Sequence, residues 1–147
     1  MNELNNFKKS LAFVLKWEGV YSFDPSDPGG ETKWGISKRY HPDLDIKNLT
    51  PEQACDIYAK EYWDTTGCDN IPFPLCTVVF DTAVNCGVSR ASNWLRNAPD
   101  ASSYIQTRQN FYYDRVNKNP VMSKYIRGWM NRLNDLKKFV EINNPVQ

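Results

Sequence analysis

Residues 20–37, VYSFDPSDPGGETKWGIS, limit most severely what this chain can fold into. Pro25, Pro28, Gly29, Gly30 and Gly35 crowd one short stretch. Proline removes a backbone donor and glycine weakens a helix interior, so no helix crosses this region. The stretch suits a turn-rich loop or a short, irregular β-hairpin. The chain on either side of it repeats at helical spacing, and the expected fold is mainly α with one small β element near the N-terminus.

Leu4, Phe7, Leu11, Val14 and Leu15 place a helix over residues 3–18, which Gly19 helps to end. Glu18 then falls on the apolar stripe, four residues after Val14. Thr50, Pro51, Glu52 and Gln53 form a capping box with proline at the first helical position, so a second helix runs from there to Trp63. Leu75, Val79, Phe80 and Ala83 mark a third, from Pro74 to Cys86, which Gly87 stops. Further helices are predicted over Ser89–Asn97, Ser102–Asn117 and Val121 to about Ile142. The last carries Met122, Ile126, Trp129, Leu133, Leu136 and Val140 on one face.

A chain of 147 residues that is 41% hydrophobic closes one core and not two, so residues 1–147 read as a single domain, expected to be a monomer. The net charge of +1 leaves no global footprint of a nucleic-acid binder. A single histidine, His41, and no CxxC pair among Cys55, Cys68, Cys76 and Cys86 give no metal-ligand set, and no metal or diffusible cofactor is expected. The cysteines read as buried thiols, or as disulfides formed after export. No apolar run has the length of a membrane span, and the N-terminal stretch lacks a cleavage site, so the protein is expected to begin in the cytoplasm.

Hydrolysis of a glycosidic bond needs a carboxyl group that gives a proton to the leaving oxygen, which at neutral pH requires removal from water. Glu18, closing an apolar helical face beside Trp17, has that placement. A second carboxylate must stay ionised and orient a water or attack the sugar carbon. Asp24 and Asp27 both lie on the polar loop, and spacing alone does not choose between them. The Thr32 hydroxyl can hold a water or a carboxylate.

The stretch KWEGVYSFDPSDPGGETKWGIS resembles the signature of the glycoside hydrolase family 108 muramidases, many of them phage or prophage endolysins. FDTAVNCGVSRASNWLR is similar to a second family helix, and the segment from Arg108 through GWMNRL to the family's C-terminal part, here about residues 100–142. The resemblance implies a lysozyme-like fold, peptidoglycan as partner, and cleavage between N-acetylmuramic acid and N-acetylglucosamine that lyses the host cell. It carries the catalytic acid onto Glu18. In the similar triad of phage-type lysozymes an Asp follows the Glu by nine residues, which favours Asp27, with Thr32 in support. Val20 stands where a second glycine often follows Glu-Gly, and Thr32 lies one residue nearer Asp27 than in the phage-type pattern. The endolysin likeness also implies that a separately encoded holin releases the enzyme to the periplasm and wall.

Other residues carry weaker signals. Asp81 and Asn85, four apart on one helix, are placed to hydrogen-bond sugar groups from the far side of a cleft, or to satisfy nearby backbone. Trp34, Tyr21 and Phe23 are placed to stack on sugar rings or simply to pack. Lys118, Lys124, Arg127, Arg132, Lys137 and Lys138 give the C-terminal helix a basic character suited to an anionic envelope, or to plain solvation. A Cys86–His41 peptidase pairing has no supporting context. The alternatives to hydrolysis are a lytic transglycosylase, which needs one Glu, and a wall-binding or secretion-assisting module that has kept the fold without the chemistry.

Overall fold

The computed structural model describes residues 2–23 and 30–144. Six α-helices and a three-stranded antiparallel sheet build it: α1 Asn2–Trp17, β1 Tyr21–Phe23, β2 Glu31–Lys33, β3 Ile36–Ser37, α2 Pro51–Tyr58, α3 Leu75–Cys86, α4 Val88–Asn97, α5 Ala101–Lys118 and α6 Ser123–Asn143. The expected mainly α architecture with a small N-terminal sheet is what the chain adopts. No helix among the described residues is long and apolar enough to cross a membrane.

The fold is organised around α3. Every residue from Cys76 to Ala83 is buried, so this helix is enclosed on all sides and is not amphipathic. Phe80 meets Phe7 of α1 and Trp63 edge-on, at centroid distances of 5.9 and 5.3 Å, and Phe7 meets Trp63 at 5.3 Å. The polar residues of such a helix need partners inside the protein. Thr77 shares a 2.6 Å hydrogen bond with Ser10 of α1, and Thr82 donates to the Val78 carbonyl at 2.8 Å. Gly87, at φ +103°, ends α3 and lets α4 begin at once.

The capping box at Thr50 forms as expected: Gln53 N–H donates to Thr50 Oγ1 at 3.1 Å, and Thr50 N–H to Gln53 Oε1 at 2.9 Å. The helix it starts reaches Trp63 but changes character on the way. Ala59–Trp63 is a π-turn, closed by Asp64 N–H on the Ala59 carbonyl at 2.8 Å. Trp63 turns into the core, while Glu61 and Tyr62 line a surface pocket.

The β element is larger than one hairpin. β1 pairs with β2 (Ser22 opposite Thr32), and β2 with β3 (Thr32 opposite Ser37). Trp34 and Gly35 make the second turn, at φ +49° and +79°. Positive φ at both central residues is the type I′ geometry that matches strand twist, usually supplied by Asn-Gly, and Trp-Gly conceals it. Buried Ile36 fastens the sheet to the core.

Candidate active site

Glu18 directly follows α1, and its N–H still reaches the Val14 carbonyl at 3.1 Å, so the final helical turn aims the side chain. That side chain is 22% exposed, and its Oε1 accepts from Arg132 Nη1 at 3.1 Å. The opposite edge of the carboxyl lies on the backbone of Gly35. A Cβ on Gly35 would stand 2.9 Å from Glu18 Oε2 and 2.6 Å from the Tyr58 hydroxyl oxygen, so the site has no room for any side chain there. The left-handed φ of Gly35 independently favours glycine. Tyr58, the buried last residue of α2, donates its hydroxyl proton to the Trp34 carbonyl and ties the same turn to the helical body. Burial and the nearby Glu18 charge push the Tyr58 phenol upward, so it remains a proton-bearing donor.

The enclosure of Glu18 is thus not the apolar pocket its helical position suggests. A guanidinium from α6 occupies one carboxyl oxygen, and that guanidinium is itself held from α3. Arg132 Nη2 donates to Asp81 Oδ1 at 2.7 Å, and Arg108 Nη1 of α5 donates to Asp81 Oδ2 at 2.8 Å. Arg108 reaches on to Thr82 Oγ1 at 3.1 Å and Asn85 Oδ1 at 3.2 Å, and its Nε donates to the Tyr112 hydroxyl at 2.8 Å. Burial would raise the Asp81 carboxyl, but Arg108 and Arg132 outweigh it and hold the group below its usual range. Burial likewise opposes the charge of Arg132, and Asp81 more than restores it. Four elements therefore meet in one ionic chain that ends on Glu18.

This arrangement corrects the reading of Asp81 as a sugar contact. It has no exposed surface, and two guanidiniums occupy its oxygens, because α3 is surrounded and has no cleft-facing side at that position. Asn85 is half-buried and accepts from Arg108 and Tyr112, yet also lines a separate pocket among α3, α4, α5 and α6. Arg132 leaves the basic face of α6 for the same reason that Asp81 is sealed: they need each other.

Thr32 sits half-buried in the middle of β2. Tyr21 on β1 is exposed, and its hydroxyl donates to Glu31 Oε2 at 2.5 Å. Trp34 packs partly against the core with Lys33 Nζ 4.8 Å above its ring, and Phe23 is exposed. Asp24 and Asp27 lie outside the described residues. Beside Gly35 and Tyr58 opens a pocket of about 360 Å³ that Tyr40, His41, Glu61 and Tyr62 also line. His41 Nε2 and Glu61 Oε2 pair at 2.9 Å on its wall, while Cys86 lines a different cavity, so the two do not share a site. Burial, then the Glu61 and Glu18 carboxylates, raise the Tyr62 phenol. All four cysteines are free, and burial pushes the Cys68 thiol up to about 12, the range of an inert structural thiol.

Arg108, Arg132, Tyr58 and the His41–Glu61 pair are the site residues that sequence reasoning missed. A signal existed for the arginines. Trp129, Arg132, Leu133 and Leu136 follow i, i+3, i+4, i+7 spacing, so Arg132 lies on an apolar stripe just as Glu18 does. Arg108 stands likewise between buried Tyr104 and Tyr112.

A partly exposed carboxyl thus stands at a helix end, beside a small sheet and near an open pocket with aromatic walls. The sequence model of the family described as glycosyl hydrolase 108 matches residues 11–87, just over half of the chain and inclusive of Glu18, Thr32, Gly35, Tyr58 and Asp81. The protein belongs to the glycosyl hydrolase 108 family. Its fold is that of a solved structure from Brucella abortus, SagA, at a TM-score of 0.78 and 22% identity, with 96% of this chain and 97% of the other covered. No curated protein matches the sequence.

Proposed function

We propose that the protein is a peptidoglycan hydrolase of the muramidase kind, which cuts between N-acetylmuramic acid and N-acetylglucosamine with Glu18 as the proton donor. The observation that carries this reading is the Glu18 carboxyl itself. It is fixed on one edge by Arg132 and backed on the other by Gly35, with a fifth of its surface left open in a chain of a glycoside hydrolase family. Such fixation holds the acid in one orientation before substrate arrives, which is where positioning lowers a barrier. A glycan laid over the open edge displaces the remaining water from the carboxyl and brings the glycosidic oxygen within its reach. Tyr40 and Tyr62 offer ring faces to sugars, and the His41–Glu61 pair offers polar contacts.

In this reading Asp27 orients the attacking water and Thr32 steadies it, as in an inverting glycosidase. Exposed Lys124, Arg127 and Lys138 on α6 supply contact with the anionic wall. The endolysin setting, with release by a separate membrane-opening protein, rests on the sequence resemblance. Expression alone is then expected to leave the host intact, and chloroform to bring lysis. A monomer suffices, since every group named here comes from one chain.

Digestion of purified peptidoglycan tests the proposal. Wild-type protein should release reducing ends, and Glu18→Gln should keep the melting temperature and lose at least about a hundredfold in rate. Asp27→Asn should cost much more rate than Asp24→Asn. Clearance by Glu18→Gln at the wild-type rate overturns the acid assignment. Anhydro-muramic products in place of reducing ends would define a transglycosylase, and binding without cleavage a wall-binding module.

A further inference from the structure

A second cavity, of about 180 Å³, opens where α3, α4, α5 and α6 converge, its lining residues Asn85 and Tyr112 bonded to Arg108 of the ionic chain. Asn85 and Cys86 line it from the end of α3. Its aromatic walls are Phe111, Tyr112 and Trp129, the last two stacked at 5.0 Å and 22°. Two guanidiniums flank these rings. Arg90 lies 4.7 Å from the Phe111 centroid, and Arg115 lies 5.4 Å from Phe111 and 5.8 Å from Trp129.

Arg108 and Arg132 each have a carboxylate, whereas among the described residues neither Arg90 nor Arg115 forms an ion pair. Arg90 spends one N–H on the Cys86 carbonyl at 3.0 Å. Stacking on an aromatic ring fixes the plane of a guanidinium while its in-plane N–H edge stays free for a planar anion. Two uncompensated cations beside apolar ring faces match a carboxylate carried on a small apolar group. The cavity is too small for a sugar chain and of a size for one amino-acid residue.

We propose that this pocket binds the free carboxylate of a peptide branch on the glycan, so that the enzyme reads the peptide as well as the sugar. This rests on the reading of peptidoglycan as substrate, whose muramic acid residues bear short peptides ending in small residues with free carboxylates. Nothing in it requires the pocket to touch the scissile bond.

The probe is N-acetyl-D-alanyl-D-alanine, titrated into the isotopically labelled full chain and followed by the backbone amides of Cys86, Arg90 and Trp129. Saturable shifts are expected. The C-terminal amide of the same dipeptide and the Arg90→Gln/Arg115→Gln variant should each bind at least about tenfold more weakly. Arg90 and Arg115 are not in the core, and the amide comparison uses unaltered protein, so a folding defect cannot imitate the result. Equal binding of acid and amide, or no saturable shift up to millimolar probe, overturns the proposal. Tighter binding of inorganic phosphate at the same resonances overturns it in favour of a phosphate site. On substrate, the variant should raise KM for peptide-bearing glycan several-fold and leave peptide-free glycan unaffected. Because the titration needs no turnover, an inactive enzyme that still distinguishes acid from amide would refute the hydrolase reading alone.

Discussion

Gly35 carries a heavier constraint than its place in a loop motif conveys. It meets a backbone requirement, φ +79°, and a packing requirement, the absence of a Cβ against Glu18 and Tyr58. Gly35→Ala must move the carboxyl, the phenol or the turn. The backbone strain alone costs on the order of 1–2 kcal/mol, and displacement of a positioned acid costs roughly 10–100-fold in rate. Thermal melting together with kcat on peptidoglycan checks this; unchanged kcat would show that Gly35 serves the turn alone. At this scale the partial enclosure of Glu18 was legible because a charged residue on an apolar stripe is conspicuous. The same test applied to Arg132 and Arg108 would have exposed them. Asp81 misled for a complementary reason: residues four apart share a helix face, but spacing does not say that another helix already covers that face.

Among the elements, local chemistry written over a few residues was readable and long-range geometry was not. The Thr50 box, the α1 stop and the α3 stop at Gly87 are local and were legible. The π-turn at Ala59–Trp63 was hidden, since its extra residue per turn reflects where Trp63 must pack, and the type I′ turn was hidden because Trp34 is an unusual residue for it. Thr50→Ala removes a reciprocal cap, worth about 0.5–2 kcal/mol. The expected result is a melting temperature lower by a few degrees with undiminished activity per folded molecule, since Tyr58 lies at the other end of α2. A proportional loss of kcat at low temperature would mean instead that the start of α2 sets the geometry of Tyr58.

For the whole molecule, the Asp81 ionic chain couples stability to acidity. Its carboxyl is held below the value of about 3.9 that it has when unfolded, because Arg108 and Arg132 outweigh the cost of burial. A depressed folded value means stabilisation that is complete above that unfolded value and is lost as pH falls through the lower folded one. Urea unfolding at descending pH should therefore show a steep decline below about pH 4. Asp81→Asn should flatten this decline and cost about 3–5 kcal/mol near neutrality, the penalty for unpairing buried charges. An unchanged acid limb in the variant would place the titrating group elsewhere.

The same chain of charges bears on how this protein can be cut and recombined. The family match ends at residue 87, yet the guanidinium that grips Glu18 arrives on α6, 114 positions later in sequence. A fragment ending near residue 100 would expose Asp81 without either arginine, and should fail to fold into an active unit even though it retains Glu18, Thr32 and the sheet; circular dichroism and wall clearance of such a fragment decide the matter. Grafting the C-terminal helices of a relative would succeed only where the donor brings an arginine at each of two matched heights. The unit that can be exchanged consequently includes α5 and α6 together with α1 and α3, and a boundary drawn at residue 87 would run straight through the charges that tie them.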